Sequence, residues 1–503
     1  MITATHKGKY YDVEYSIVNV SELEGELRID AEYYDPYYLR NEEKIKRKKW
    51  ECLGDKKISE LITDGDHGNP KYCEEGILYL KVEEIEETGI NLNSVKKVCF
   101  EYANKQSKKN FVEVNDVLIT TVGTIGKVCV VTERIKAILS RDIAKIKLSK
   151  TSPISPFYLQ AFLMSKNAQI LLEQISTGGL QQGLYLYQIK QLKIPIPSDA
   201  FQKFIEKLVL KAYEERQKAE QLYKQAEEIL LEELGLKDWK PRTKKIKIGG
   251  KDFEEEENIS IRMLSEVLKA DRMDAEYWEP KYDDIEKTIS NYKNGYRLIR
   301  ELLLDAIKNG TTPKNLIKFY DRNEHPFVRV DAFGPFLNTK EKDLYSIDKE
   351  TLKKLNYCSV VNGDILVSIT GTIGEAVIYT LNKTGAINQN IVRLRPNKNL
   401  INSEVLALYI KVVGKLFLQK LQTGNVQPYV NTINFSKLIV PLIEPQTQQK
   451  ISQLIQQSFK ARENSKKLLE IAKRTVEIYI EKDEEEGMKY ANSQLEELNI
   501  KVD

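Results

Sequence analysis

Histidine is nearly missing from this chain. His6, His67 and His325 are the three present in 503 residues, too few for a histidine-based metal site or a catalytic triad in each half. Cysteine is sparse as well. Cys52, Cys73, Cys99, Cys129 and Cys358 form an odd set with no C-x-x-C pair, which reads as reduced thiols in a cytoplasmic protein. Long apolar runs are also lacking. Neither Met1–Tyr10 nor any later segment approaches the length of a membrane span, so no membrane partner is expected and nothing directs the chain out of the cell. With 41% hydrophobic and 30% charged residues over this length, the expectation is a soluble globular protein of two or more domains. The net charge of +3 neither announces nor excludes nucleic acid, because binding depends on where charge sits.

What the chain does have is an internal echo. Arg28-Ile29-Asp30-Ala31-Glu32-Tyr33-Tyr34-Asp35-Pro36 returns 244 residues later as Arg272-Met273-Asp274-Ala275-Glu276-Tyr277-Trp278-Glu279-Pro280. Gly123-Thr124-Ile125-Gly126 returns after 248 residues as Gly371-Thr372-Ile373-Gly374, and Ile194-Pro195 after 246 as Val440-Pro441. Matches in one order at nearly one spacing mark a tandem duplication of a unit about half the chain long. A pseudo-twofold protein is suited to gripping something with two ends or two copies.

Within each unit the pattern runs from strand signals to helix signals. Val117–Val122 and Ile365–Thr370 are β-branched runs ending at glycine, read as buried strands entering a tight turn. Val128–Val131 and Ala376–Tyr379 are the return strands, and Ile143–Leu148 and Ile391–Leu394 are further strands. Pro156–Ile175 and Ser403–Leu421 read as short helices. Phe201 to Leu234 then contains no glycine or proline. Its apolar residues, Phe201, Ile205, Leu208, Ala212, Ala219, Leu222, Ala226 and Ile229, make a coiled-coil-like stripe. Ile451, Leu454, Leu468 and Ala472 repeat it 246 residues on, with Ser458 and Ser465 at the alanine positions. Gly235 to Asn258, with Gly249-Gly250 and the acidic run Glu254–Glu257, is linker chemistry.

Several chemical signals resolve to structural ones. Gly123-x-x-Gly126-Lys127 has the wrong spacing for a phosphate loop, and the second copy places Glu375 where Lys127 stands; a glycine hairpin is the better reading. Asp35-Pro36-Tyr37-Tyr38 approaches the D-P-P-Y motif of amino-methyltransferases, but lacks the second proline and has no preceding Gly-rich cofactor loop. No E-x-K pattern has a partner carboxylate at matching places in both halves, so no nuclease centre is read. The basic stretches Lys44–Lys49 and Lys240–Lys247 read as solvated faces, with phosphate contact as the alternative.

Two pairs of loops hold equivalent places yet differ in side chains. Asp64–Lys71 faces Lys308–Lys314, and Thr177–Gly183 faces Thr423–Tyr429. A frame kept and loops changed is what two readers of different targets need, and Lys, Arg, Asn and Gln are side chains that read base edges; ordinary polar turns are the alternative for any one residue.

The chain as a whole resembles the specificity subunit of type I DNA restriction–modification enzymes. Val122–Lys127 and Thr370–Glu375, the Gly-Gln loops at Gly178–Gln182 and Gly424–Gln427, and Pro195 and Pro441 ahead of helices carry the likeness. Asp64–Tyr72 is similar to the D-G-x-H-x-x-P-x-Y opening of such domains, a pattern that Asp305–Lys314 lacks. The resemblance implies an α+β chain with two pseudo-twofold-related target-recognition domains of mixed sheet and short helices, separated by two long antiparallel coiled-coil-like helices. The boundaries expected are 1–199 for the first domain, 200–235 for the central helix and 236–260 for a linker. The second domain takes 261–444, the last long helix 445–486 and a charged tail 487–503. It implies a non-catalytic subunit that reads a bipartite, asymmetric double-stranded DNA site and scaffolds two methyltransferase subunits, with restriction subunits joining through them. It implies no cofactor on this chain; S-adenosylmethionine, ATP and Mg belong to the partners. The expected DNA contacts in the first half are Asp66, His67, Asn69, Lys71, Lys81, Arg141, Gln181 and Gln182. In the second they are Lys308, Asn309, Thr311, Thr312, Lys314 and Arg329, with Gln389, Asn425, Gln427 and Tyr429. The alternatives are a specificity subunit serving a fused nuclease–methyltransferase, or a degenerate amino-methyltransferase.

Overall fold

The structure, a computed structural model, describes all residues except 1, 8–11, 21–22, 24–27, 94, 178–182, 249–250, 257–258, 319, 322, 425–426 and 503; along 2–7, 12–14, 244–248 and 251–256 it describes backbone alone. By packing, the chain divides into two compact units: Met1–Gln217 with Ala461–Asp503, and Lys218–Lys460. Each is an α+β body with two four-stranded sheets.

In the first unit the β-branched run Val117–Thr120 is a fully buried strand. It lies between Val128–Val130 and Ile143–Leu148, and Ser59–Asp64 closes that sheet, all antiparallel. A second sheet orders Ala137–Leu139, Ile77–Leu80, Lys96–Val98 and Tyr72–Cys73, with its first two strands parallel. The second unit repeats the scheme. Ile365–Ser368 lies between Ala376–Ile378 and Ile391–Leu394, with Lys308–Asn309 at the edge. Its other sheet pairs His325–Val328 in parallel with Gly385–Ile387. The stretch expected as one helix over Pro156–Ile175 is two, because Ser165 leaves helical geometry and caps the second by accepting from Ala168 N. Its counterpart in the second unit runs on through a π-helical turn at Ile410–Gly414.

Two long helices follow the apolar stripes, Asp199–Glu233 and Pro445–Glu481, 35 and 37 residues, about 50 Å each at the standard rise. Within the first unit they run antiparallel, with Ser465 Oγ donating to Ala212 O at 2.6 Å. Within the second, Ser458 Oγ donates to Ala219 O at 2.6 Å. The serines therefore bind the facing backbone as well as keeping the seam narrow. The stripe departs from expectation at one end: Tyr223 and Leu230 are buried, while the expected Leu222 and Ile229 are half-buried. A helix of 3.6 residues per turn drifts against a 3.5 repeat, and here the drift moves the buried face by one position.

The helix Asp199–Glu233 is anchored differently within each unit. In the first unit Tyr213 OH accepts from Val130 N at 3.0 Å and bonds Gln160 at 3.2 Å. Arg216 forks to Thr88 O and Ile90 O, both at 2.9 Å. In the second unit Tyr223 packs edge-on to Phe336. The charged tail forms a helix over Glu484–Leu498 that buries Ala491 and Leu495 in the first unit's core. One cysteine expectation needs correction. Cys73 and Cys99 are joined as a disulfide with Cα atoms 5.2 Å apart, because antiparallel pairing of Tyr72–Cys73 with Lys96–Val98 brings them together; Cys52, Cys129 and Cys358 are free thiols.

Ala212 is wholly buried where Ser465 meets its carbonyl. Ala212→Leu should overpack the seam and destabilise the fold by about 1–3 kcal/mol; a denaturant midpoint matching the parent protein would refute this packing.

Candidate nucleic-acid interface

Each unit carries a corner built from three backbone segments. In the first, Asp66 N donates to Leu139 O at 2.7 Å, Arg141 N to Asp66 O at 3.0 Å, and Ser140 N to Leu80 O at 2.8 Å. The loop after Ser59–Asp64, the turn at Ser140–Asp142 and the end of Ile77–Leu80 are thereby fixed together. In the second, Thr311 N donates to Ile387 O at 3.1 Å and Asn388 N to Val328 O at 3.2 Å. The same three segments meet. Glycine makes this possible. A Cβ on Gly65 would lie 2.1 Å from Leu139 O, and a Cβ on Gly310 would lie 2.1 Å from Ile387 O. Leu139 and Ile387 are themselves 248 residues apart, so the two contacts are the same contact.

On these matched frames the side chains differ. His67 and Arg141 are exposed at the first corner; Thr312 and Gln389 are exposed at the second, and Thr312 Oγ1 donates to Gln389 Oε1. His67 Nε2 lies 2.7 Å from Asp64 Oδ2. Thr311 bonds the Tyr357 hydroxyl at 2.6 Å. Lys81 and Arg329, also 248 apart, both sit over tyrosine rings. Lys81 lies 5.4 Å from the centre of Tyr72, and Lys96 shares that ring at 5.4 Å. Arg329 lies 4.9 Å from the centre of Tyr345 and donates to its hydroxyl at 3.1 Å. A cation held against a ring keeps its charge and loses rotamer freedom, which prepares it for an anionic or base-edge partner.

Asp66 is placed differently from an exposed contact. It is buried, and its Oδ1 accepts from Gly68 N at 3.0 Å while Oδ2 accepts from Tyr79 OH at 3.3 Å and from Tyr102 OH. Burial, and then this carboxylate, push the Tyr102 hydroxyl up to about 12, so it stays a donor at neutral pH. Asp66 thus shapes the loop that presents His67.

The remaining expected residues divide by place. Asn69 and Lys71 are exposed on the segment leading to Tyr72, where Lys71 O accepts from Cys99 N. Lys308 and Asn309 lie in an edge strand opposite Arg393 and Val392. Lys314 is exposed, and among the described residues no hydrogen bond ties it to the corner. Gln427 and Tyr429 are exposed on a second loop, closed by Thr423 N to Tyr429 O at 2.8 Å. Gln181, Gln182 and Asn425 lie outside the described residues. Lys96, Tyr345 and Tyr357 carry no signal in the sequence, and Tyr72, the last residue of the Asp64–Tyr72 motif, is not among the expected contacts. Comparing the repeats could not reveal them, because each unit takes its tyrosine from a different point along the chain.

One family model, described as the type I restriction modification DNA specificity domain, matches residues 56–227 and again 303–473. The chain belongs to this family. Both corners fall within the two matched copies of the specificity domain. A stretch of 124 residues is 32% identical to the type I restriction enzyme EcoBI specificity subunit of Escherichia coli; it covers 25% of this chain and 26% of that relative's length. Among solved structures, the S subunit of a type I restriction–modification system from M. genitalium aligns over 90% of this chain and 96% of its own, at 12% identity and a TM-score of 0.39. The HsdS subunit from Thermoanaerobacter tengcongensis aligns over 86% and 97%, at 14% identity and a TM-score of 0.27.

Gly65→Ala and Gly310→Ala should each displace the corner of their own unit, with a stability loss of about 2–4 kcal/mol or a locally opened loop. Hydrogen exchange should rise at 64–68 in the first variant and at 309–312 in the second; unchanged protection in both would contradict the close approach.

Proposed function

We propose that this chain is the DNA-recognition subunit of a type I restriction–modification complex, reading an asymmetric, bipartite site with one half-site per unit. The observation that carries the reading is the corner pair: one backbone frame, built twice on an equivalent glycine, holding His67, Arg141 and Lys81 in one copy and Thr312, Gln389 and Arg329 in the other. Arg and Lys favour guanine O6 and N7, while Gln favours adenine. Two frames with unlike side chains therefore suit two unlike base sequences. The chain would perform no catalysis. Two methyltransferase subunits would join it, restriction subunits would join through them, and S-adenosylmethionine, ATP and Mg would be used there. Phosphate contacts would supply salt-dependent affinity and the corners would supply sequence choice. The target-recognition segments would be 1–199 and 261–444, with 200–235 and 445–486 as the connecting helices, 236–260 as linker and 487–503 as tail.

Expressed with its methyltransferase, the chain should leave adenine methylation at a motif of two different short half-sites around an unread spacer, mapped by sequencing modified bases in the expression strain. A continuous or palindromic motif would overturn the reading. Replacing 308–314 with the matching loop of a relative should change one half-site and leave the other intact; a change in both would contradict independent readers.

A further inference from the structure

Each corner has a second exposed feature next to it. Beside each stands the tip of the glycine hairpin, Gly123-Thr124 in the first unit and Gly371-Thr372 in the second. The connection is direct: Thr121 N donates to Asp142 O and Ile369 N to Asn390 O, both at 2.9 Å. On the other side Leu184 N donates to Thr121 O and Val430 N to Ile369 O, again both at 2.9 Å. Each tip thus stands between the corner, where side chains differ, and the segment that holds Leu184 or Val430.

The tips are identical in sequence and exposed, and their glycines face open space. A Cβ added at Gly123 or Gly371 would meet no atom within 4 Å, and the two glycines adopt φ of 76° and 73°. A surface turn preserved while its neighbours diverge is not preserved for packing. Its stem shows what is being held. Thr120 and Ser368 are wholly buried, and their hydroxyls donate to Thr124 O and Thr372 O. The same hydroxyls accept from Lys127 N and Glu375 N, both at 3.0 Å. In a trans peptide the carbonyl oxygen and the following N–H point opposite ways. Drawing the threonine carbonyl into the stem therefore turns the N–H of Ile125, and of Ile373, outward. Among the described residues neither these groups nor the preceding Thr124 and Thr372 N–H has an acceptor. Successive outward N–H groups at a left-handed glycine turn make an anion-binding concavity. Glu375, which would oppose an anion in the second copy, is neutralised by Lys411 at 2.7 Å.

We infer that the two Gly-Thr tips, held open by Thr120 and Ser368, each take a DNA backbone phosphate, so that every half-site is gripped without regard to sequence before its corner reads it. This rests on the DNA-recognition reading proposed above. Thr120 and Ser368 are positioning residues, and their difference is itself a natural conservative exchange.

The test uses the full chain with its methyltransferase and two duplexes, one carrying the methylated motif and one unrelated, titrated at several salt concentrations. Thr124→Glu with Thr372→Glu should weaken both duplexes by the same factor, about tenfold or more, leaving the ratio between them and the methylated motif unchanged. Thr124→Lys with Thr372→Lys should strengthen both. Thr120→Val should weaken both and lower the slope of log K against log salt by about one, the loss of one phosphate contact, while Thr120→Ser should restore it. Unaltered affinity in the glutamate and lysine pairs, or a change of motif in either, would overturn the inference. Failure of the parent complex to prefer its motif would instead overturn the recognition reading, and the parent arm shows that separately.

Discussion

The candidate site of each unit depends on a backbone contact that admits no side chain. Gly65 and Gly310 lie against the carbonyls of Leu139 and Ile387 at a distance that a Cβ would reduce to 2.1 Å. That approach sets residues 66–67 beside 141, and 311–312 beside 389, in the same geometry. Because the frame is fixed by main chain, the side chains on it can vary without altering how the loop is held. Asp66 adds a second constraint in one copy only. Its carboxylate is consumed by two tyrosines and a backbone amide, giving that corner a stiffer loop than the threonine at the equivalent place can supply.

Much of this was legible in the sequence because physical periodicity leaves marks. The buried strands ending at Gly123 and Gly371, and the return strands after them, follow from β-branched runs stopped by glycine. The long helices follow from a stripe free of breakers. Other features left no local mark. The split at Ser165, the one-position drift of the seam at Tyr223 and Leu230, and the joining of Cys73 to Cys99 depend on tertiary packing. The charged tail leaves open a loose segment or a short added helix, and the helix forms because Ala491 and Leu495 find a core.

The candidate site divides along the same line. Residue types suited to reading bases could be picked out in loops, and the corners gather Asp66, His67, Lys81 and Arg141, or Thr311, Thr312, Arg329 and Gln389. What sequence could not show is which of these face outward and which serve the loop. Nor could it show the tyrosines under Lys81 and Arg329. Tyr72 comes before its lysine in the chain and Tyr345 comes after its arginine, so only the sheet order reveals that both serve the same purpose.

The division of the chain between its units has a consequence in time. The second unit is one uninterrupted stretch, 218–460, whereas the first needs both 1–217 and 461–503. Its core joins Phe201, Ile205 and Leu208 to Leu468, Val476 and Tyr479, and Glu477 accepts from Lys166 N at 2.7 Å. On the ribosome the second-synthesised unit can therefore finish first. The earlier one waits with part of its apolar surface uncovered, and that interval is where such chains are exposed to aggregation and to chaperones.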